Sequence, residues 1–233
     1  MRIEDAKVLV TGGSSGIGLE TAARLIDKGA RVAVMAREPG RLERAAQKIG
    51  ALPIQADVSR EDDVVRAVQT TIDKLGGYNV LINNAGFGTF APLVEQELDS
   101  FHRVWATNVT GAMLAARESA RHFVAQGGGH IVNVASTAAS RGFVGGTAYV
   151  ASKFALAGMT ECWRSELRPH NVRVMLVRPS EVVTEFFATA GLDQAPSERK
   201  LRPDEIAHTI LSLLEMDDRG FVTDVSVWAT NPP

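Results

Sequence analysis

A tyrosine and a lysine stand four residues apart in the segment Tyr149-Val150-Ala151-Ser152-Lys153. The surrounding sequence predicts a helix, and residues i and i+4 of a helix lie on one face with Cβ atoms roughly 6 Å apart. A cation that close favours the phenolate, so we expect the pKa of Tyr149 to fall below its usual value of about 10. Such a tyrosine can give or take a proton near neutral pH. Tyr and Lys also meet by chance on many helices, so the weight of the pair depends on residues upstream.

A glycine-rich turn stands between the first predicted strand and the first predicted helix. It reads Thr11-Gly12-Gly13-Ser14-Ser15-Gly16-Ile17-Gly18, with the spacing TGxxxGxG. Glycines let the backbone turn sharply and approach a pyrophosphate, whose charge is held by the N-terminus of the helix. A tight turn that binds nothing is the alternative, and the strand-turn-helix context favours the phosphate site.

Short β-branched runs alternate with longer amphipathic segments along the whole chain. The predicted strands are Lys7–Val10, Arg31–Met35, Leu52–Gln55, Val80–Ile82, His130–Val134, Val172–Val177 and Phe221–Trp228. The predicted helices are Gly16–Lys28, Arg41–Ile49, Glu61–Leu75, a long helix with its N-cap at Asp99 or Ser100 that ends near Ala125, Thr147–Leu167 and Pro203–Leu214. Repeated βαβ units with apolar strands predict a doubly wound, seven-stranded parallel sheet with helices on both faces. We expect residues 1–233 to form a single Rossmann domain.

Composition excludes several other classes of protein. The chain has 233 residues, 45% of them hydrophobic, and a net charge of -2 with dispersed Lys and Arg, so nucleic acid is not an expected partner. No apolar run approaches the roughly 20 residues that a membrane helix needs, and no signal-peptide pattern follows Met1. Cys162 is the only cysteine, which we expect to be packed, and a reducing cytoplasm fits best. The five histidines lack metal-ligand spacing, so no metal is expected.

Several motifs in order and at fixed spacing are similar to those of the short-chain dehydrogenase/reductase (SDR) family. The resemblance covers residues 5–184. TGGSSGIG matches the family's phosphate-binding turn, and Asn83-Asn84-Ala85-Gly86 matches its NNAG motif. The remaining matches are Asp57-Val58 after the third strand, Asn108 in a helix, Ser136 thirteen residues before Tyr149, and Tyr149 with Lys153 as YxxxK. The pattern resembles that of bacterial 3-oxoacyl-thioester reductases within this family.

The resemblance implies a nicotinamide-dependent oxidoreductase that interconverts a carbonyl and a secondary alcohol. Its catalytic residues would be Asn108, Ser136, Tyr149 and Lys153. Tyr149 would donate the proton, Ser136 would hydrogen-bond the carbonyl oxygen, Lys153 would lower the pKa of Tyr149 and hold the ribose, and Asn108 would anchor a relay water. The implied cofactor contacts are Gly12, Ser14, Ser15, Gly16, Ile17, Gly18, Asp57, Val58, Asn84, Ala85, Gly86, Tyr149, Lys153, Pro179 and Thr184.

Cofactor choice depends on the end of the second strand. An acidic residue there would bind the ribose hydroxyls of NAD, but the chain has Met35-Ala36-Arg37. Arg37 is placed to pair with a 2′-phosphate, so the sequence favours NADP over NAD. A solvated surface arginine is the alternative, and the basic residue that many NADP-dependent members carry in the turn is absent, since Ser15 stands there.

Other segments depart from the family pattern or determine the substrate. Pro179-Ser180 replaces the usual Pro-Gly, and the chain lacks the Gly-rich C-terminal tail that supports tetramers, so a homodimer or homotetramer is expected. Trp105, Met113 and Leu114 face either a partner subunit or the core. The segment 184–202 is either a lid over the substrate or a surface loop. An apolar part of the small-molecule substrate is expected beside the loop aromatics, which are Phe87, Phe90, Phe143, Phe186 and Phe187.

Two alternatives to a carbonyl reductase are open at this stage. A sugar-nucleotide epimerase shares YxxxK, but the turn spacing and the lack of room for a C-terminal substrate domain argue against it. A regulator or scaffold that binds a nicotinamide nucleotide without turnover would use the same fold. The complete set of four catalytic-type residues favours the enzyme.

Overall fold

The seven strands form one parallel sheet. A computed structural model describes residues 1–186 and 199–231 of the chain. The strands are β1 (Lys7–Thr11), β2 (Arg31–Ala36), β3 (Leu52–Gln55), β4 (Val80–Asn83), β5 (Gly129–Val134), β6 (Val172–Pro179) and β7 (Asp224–Val227). Their order is β3-β2-β1-β4-β5-β6-β7, and every neighbouring pair is parallel. The order reverses between β1 and β4, which opens a crevice at the carboxyl ends of these strands.

Helices cover both faces of the sheet. They are α1 (Gly16–Asp27), α2 (Pro39–Ile49), α3 (Glu61–Leu75), α4 (Leu98–Trp105), α5 (Ala112–Gln126), α6 (Thr147–Leu167) and α7 (Pro203–Glu215). Apolar residues of α1, α2 and α7 pack with alternate residues of the strands to form one core. Residues of α3 and α5 form the second core on the opposite face, and α6 packs beside α5. Strands buried on both faces explain the nearly continuous apolar runs of the sequence.

The long predicted helix between β4 and β5 is interrupted. It begins at Leu98 with Glu97 as N-cap, two or three residues before the predicted N-cap, and no side chain caps it. The segment Ala106–Gly111 is a π-helix that joins α4 to α5 without a break. Apolar periodicity does not reveal a one-turn change of helical pitch, which is why the sequence predicts a single regular helix.

Three smaller expectations are also corrected. Helix α2 begins at Pro39 because the carboxylate of Glu38 accepts the amide N–H groups of Gly40 and Arg41. Strand β7 has four residues rather than the predicted eight. The prediction that Cys162 is packed is wrong, because this residue is exposed on α6. Phe187 and most of the predicted 184–202 loop lie outside the described residues.

Candidate active site

A cleft of about 910 Å³ opens at the carboxyl ends of the strands. It runs from the end of β2 past the turn after β1 and the end of β5 to the residues after β7. Most of the predicted cofactor-binding residues line it. They are Gly12, Ser14, Ser15, Gly16, Ile17, Arg37, Val58, Asn84, Ala85, Gly86, Tyr149, Lys153, Pro179 and Thr184. Gly18, Asp57 and Asn108 were also predicted for the site but do not line the cleft.

The glycine-rich turn is held against the segment after β4. Gly12 has φ +65°, and a Cβ built there would lie 2.9 Å from Cα of Ala85, so only glycine fits. The hydroxyl of Thr11 accepts the amide N–H groups of Asn84 and Ala85, both at 3.0 Å. A Cβ on Gly18 would lie 2.5 Å from the carbonyl oxygen of Gly12, so this glycine allows the turn to pack on α1. The turn is therefore a rigid floor of the cleft.

The start of α1 has the properties of an anion site. Ser15 is its N-cap but its hydroxyl does not cap the helix, and no acidic residue stands in the first turn. The backbone N–H groups and the positive end of the helix dipole therefore face the cleft beside Gly12 and Gly16. Both glycines have positive φ and keep side chains out of this space. The turn thus fits a pyrophosphate, as its sequence predicts.

The side chain of Asn84 holds the glycine-rich turn in place. Its amide nitrogen donates to the carbonyl oxygens of Thr11 at 3.1 Å and Gly12 at 3.2 Å. Asn83 is buried and donates to the carbonyl of Ala112 at 2.9 Å and to the side-chain oxygen of Asn133 at 3.2 Å. The two asparagines of the NNAG motif therefore join the glycine-rich turn, β5 and α5. The small residues Ala85 and Gly86 leave space in the cleft for a ligand.

Helix α6 brings Tyr149 and Lys153 to the wall of the cleft. The Lys153 ammonium donates to the carbonyl oxygen of Val134 at the end of β5 at 3.0 Å. The same nitrogen lies 5.7 Å from the ring centroid of Tyr149. Ser136 follows β5, and its hydroxyl accepts the amide N–H of Ala138 at 3.1 Å and also hydrogen-bonds Tyr149. Three of the four predicted catalytic residues therefore converge on one point of the cleft.

The predicted fall in the pKa of Tyr149 is wrong for the protein without a ligand. Burial raises this pKa to about 12, and the hydrogen bond with Ser136 only partly opposes the shift. Burial also lowers the pKa of Lys153 to about 8. The spacing of Tyr149 and Lys153 in the sequence reveals that a cation is near the phenol. It does not reveal that both side chains are buried away from solvent. At neutral pH Tyr149 is a phenol and Lys153 is largely an ammonium.

Asn108 lies in the π-helix and does not line the cleft. Its side-chain oxygen accepts the amide N–H of Phe87 at 3.0 Å, and its amide nitrogen donates to the carbonyl of Phe87 at 2.9 Å. The amide also donates to Ser152 at 2.9 Å, whose hydroxyl in turn donates to the carbonyl of Tyr149 at 2.7 Å. These contacts link the segment after β4 to α6, and Asn108 lies near Lys153, since a Cβ built on Gly86 would be 3.1 Å from the side-chain oxygen of Asn108 and 3.5 Å from the Lys153 nitrogen.

The end of the cleft near β2 carries exposed charges. Arg37 is exposed and lines the cleft, while the side-chain oxygen of Asp57 accepts the amide and hydroxyl of Ser59 at 2.9 and 2.8 Å. Asp57 therefore shapes the turn after β3, and Val58 forms the wall in its place. Arg41 and Glu185 form an ion pair across the opening.

The wall of the cleft beside Tyr149 is aromatic. The ring centroid of Phe186 lies 5.2 Å from that of Tyr149, and that of Phe90 lies 5.8 Å from it. Phe143 is 5.9 Å from Phe90, and Phe87 lines the same space. The prediction of an apolar wall therefore holds for these four residues, while Phe187 lies outside the described residues.

Two residues that line the cleft were not identified as site residues from the sequence. The guanidinium of Arg141 lies over the ring of Trp228, 4.9 Å from its centroid, and both line the cleft. Trp228 follows β7, whose Val227 pairs with Pro179 of β6. The pairing of β6 with β7 places Trp228 at the cleft. The sequence alone does not reveal which strands pair, so it gives no sign that Trp228 belongs to the site.

Ser180 is accommodated without backbone strain. In the described part of the chain, Asn171 is the only non-glycine residue with positive φ. The amide N–H of Ser180 donates to the carbonyl of Val227 at 2.8 Å, and its hydroxyl accepts the N–H of Ala229 at 3.4 Å. The serine therefore fastens the segment after β7, and this position does not need the conformational freedom of glycine.

The described residues provide neither a metal-binding cluster nor a membrane-spanning helix. Residues 1–186 and 199–231 contain no group of three or more His, Cys, Asp or Glu side chains able to hold a metal ion. In the same residues, no helix has the length and apolar character required to cross a membrane.

Comparison with known proteins identifies relatives of the whole chain. The family model described as short chain dehydrogenase matches residues 6–195. The 3-oxoacyl-[acyl-carrier-protein] reductase FabG of Thermotoga maritima is 32% identical over 96% of this chain and 95% of its own. The uncharacterized oxidoreductase YxnA of Bacillus subtilis is 32% identical, and the match covers 94% of this chain and 65% of that protein.

Solved structures have the same fold and include complexes with both nicotinamide cofactors. An alcohol dehydrogenase from the archaeon Thermococcus sibiricus, complexed with 5-hydroxy-NADP, superposes with a TM-score of 0.88 at 27% identity over 97% of both chains. A 3-ketoacyl-(acyl-carrier-protein) reductase from Brucella melitensis, complexed with NADH, has a TM-score of 0.86 at 30% identity over 96% of both chains. The sheet order, the glycine-rich turn and these matches agree, and the chain belongs to the short chain dehydrogenase family of oxidoreductases.

Proposed function

We propose that the protein is an NADP(H)-dependent oxidoreductase that interconverts a carbonyl and a secondary alcohol, with Tyr149 as general acid and base. The convergence of Tyr149, Ser136 and Lys153 on one wall of the cleft carries this proposal. When bound, the nicotinamide supplies the hydride, and the chain supplies placement and proton transfer.

Each of the three side chains has a task that its surroundings allow. Tyr149 is protonated at neutral pH because its pKa is about 12, so its hydroxyl is ready to donate a proton to a carbonyl oxygen. The Ser136 hydroxyl, which hydrogen-bonds Tyr149, orients the same oxygen and stabilises the charge that develops on it. The ammonium of Lys153 is held by the carbonyl of Val134 and would hydrogen-bond the ribose hydroxyls of a bound cofactor.

The structure around β2 supports a preference for NADP. Arg37 lies on the cleft wall and forms no ion pair with any residue in 1–186 or 199–231. Glu38, the next residue, caps α2 with both carboxylate oxygens, so its charge is directed to backbone N–H groups rather than to a ribose. A guanidinium without a competing carboxylate suits a 2′-phosphate.

We also propose a substrate class, an oligomeric state and a cellular location for the protein. The aromatic wall beside Tyr149 favours a small-molecule substrate with an apolar part next to its carbonyl. Exposed apolar side chains on α4 and α6, among them Leu98 and Phe154, support a homodimer or homotetramer. A cytoplasmic location fits a chain that uses a single cysteine.

Replacement of the proposed acid tests the function. We expect Tyr149→Phe to lower kcat for carbonyl reduction by about 100-fold or more, because the proton donor is lost. NADPH binding should be nearly unchanged, since the phenyl ring still fills the wall. A panel of ketones and aldehydes is followed by NADPH absorbance, and NADPH affinity is measured by calorimetry.

Tyr78→Phe is the matched control. Tyr78 is buried outside the cleft, where its hydroxyl shares a 2.7 Å hydrogen bond with Ser119. This variant should retain wild-type turnover. Full activity of Tyr149→Phe would exclude the proposed acid. NADPH binding without turnover of any carbonyl by the wild type would instead favour a nucleotide-binding regulator.

A further inference from the structure

Arg141 lines the end of the cleft near β7, beside Trp228. It is exposed in the loop between β5 and α6, five residues after Ser136. Its guanidinium lies over the Trp228 ring, whose side chain is half exposed. A guanidinium over an indole face is attracted to the ring, and its N–H donors do not need the ring as an acceptor, so they are available to a ligand.

The charges along the cleft show which cations are available to a ligand. Among the described lining residues, Arg41 pairs with Glu185, and Lys200 pairs with Glu181 at 2.8 Å. Arg37 and Arg141 form no ion pair within residues 1–186 and 199–231, and the ammonium of Lys153 donates to the carbonyl of Val134. The cleft thus presents one uncompensated guanidinium at each of its ends.

The sheet order keeps these two arginines far apart. Arg37 follows β2, and Trp228, which holds Arg141, follows β7. Five strand spacings separate β2 from β7, or roughly 24 Å at about 4.8 Å for each spacing. One phosphate group therefore cannot satisfy both. Arg141 lies instead beside the aromatic wall, because Phe143 of the same loop contacts Phe90, which contacts Tyr149.

We propose that Arg141, oriented by Trp228, binds an anionic group of the substrate, either a carboxylate or a phosphate. This inference rests on the proposed function and specifies its substrate class as a carbonyl compound with an apolar segment and a terminal anion. The apolar segment packs against Phe90 and Phe143 while the carbonyl meets Tyr149. The planar fork of the guanidinium matches both anions in a bidentate geometry.

Binding measurements on matched ligands test the assignment without relying on turnover. The protein, saturated with NADP⁺, is titrated by calorimetry with 4-acetylbenzoate, with its neutral methyl ester and with 4-acetylphenyl phosphate. We expect at least one of the two anions to bind about tenfold more tightly than the ester. Arg141→Met should remove this preference and leave the affinity for the ester unchanged.

Two further variants separate the charge from a structural effect. Arg141→Lys keeps the charge without the planar fork and should retain part of the preference. Arg66→Met removes an exposed arginine on α3, distant from the cleft, and should leave every affinity at the wild-type value. Equal affinities for anions and ester in the wild type, absence of anion binding, or a preference that survives Arg141→Met would overturn the assignment. Turnover of the methyl ester in any of these cases would leave the proposed function intact.

Discussion

Burial, more than the neighbouring cation, sets the chemistry of Tyr149. A phenol with a pKa of about 12 holds its proton throughout the neutral range, which suits reduction of a carbonyl. The reverse reaction requires the phenolate. Because the pKa is raised, the phenolate fraction rises only as pH approaches 12, unless a bound ligand brings positive charge to the wall.

Arg37 governs the choice between the two nicotinamide cofactors in our proposal. We expect Arg37→Ala to lower kcat/KM for NADPH by about 10- to 100-fold and to change that for NADH little, since a charge-assisted contact to a phosphate is lost. Steady-state kinetics with each cofactor measures both values.

Arg44→Ala provides the control for this experiment. Arg44 is exposed on α2, and it does not line the cleft. An NADPH preference that is the same in wild type, Arg44→Ala and Arg37→Ala would remove Arg37 from cofactor selection.

The residue types of the site could be predicted from the sequence, but their surroundings could not. Tyr149, Lys153 and Ser136 follow from motif spacing and meet at one wall of the cleft. The direction of the pKa shift of Tyr149 depends on burial, which comes from the packing of distant segments. The side-chain partners of Asn108 also depend on tertiary structure, because Phe87 is 21 residues away.

The π-helix between α4 and α5 is the element that positions Asn108. Gly111 is its last residue, and a Cβ built there would lie 2.7 Å from Cγ2 and 3.1 Å from the carbonyl carbon of Val58. Only glycine allows this helix to approach the loop after β3. The contact also fixes Val58, which lines the cleft.

Substitutions at two glycines test this packing. We expect Gly111→Ala to lower the free energy of unfolding by roughly 1–3 kcal/mol, because the added methyl has no space. Gly220→Ala, in the loop before β7 with no atom within 4 Å of the added Cβ and without a positive φ, should raise it by roughly 0.4–1 kcal/mol. Urea denaturation gives both values. Similar effects of the two substitutions would contradict a packing role for Gly111.

Helices and strands were predictable where amphipathic or apolar periodicity is strong. The predicted bounds of α3 and α6 match the structure, and so do those of β3. The predicted bounds differ from the structure where a local hydrogen bond determines the first residue of a helix, as Glu38 does for α2. The π-helix and the shortened β7 have no comparable signal in hydrophobic periodicity.

The surface of the whole molecule suggests how copies associate. Helices α4 and α6 pack beside each other and expose Leu98, Trp105 and Phe154 by 66%, 37% and 46%. Of the three residues first considered for a partner face, Leu114 is buried in the core, and Met113 packs against it, so only Trp105 belongs to this surface. Association buries such side chains and removes them from water.

Sedimentation velocity tests the association. We expect wild-type protein to sediment as a dimer or tetramer, and Phe154→Asp to shift it toward the monomer, because a charge would be buried in the interface. Val65→Asp on α3, where the valine is 45% exposed, should not change the sedimentation coefficient. A monomeric wild type at micromolar concentration would refute the proposed assembly.

The burial of both tyrosines has an optical consequence. The chain has two tyrosines, and the pKa of Tyr78 is raised by burial just as that of Tyr149 is. Exposed tyrosines ionise near pH 10 and then absorb at longer ultraviolet wavelengths. We therefore expect little tyrosinate absorbance from the folded protein near pH 10, and a tyrosinate signal that develops there reports either unfolding or a ligand that has changed the environment of Tyr149.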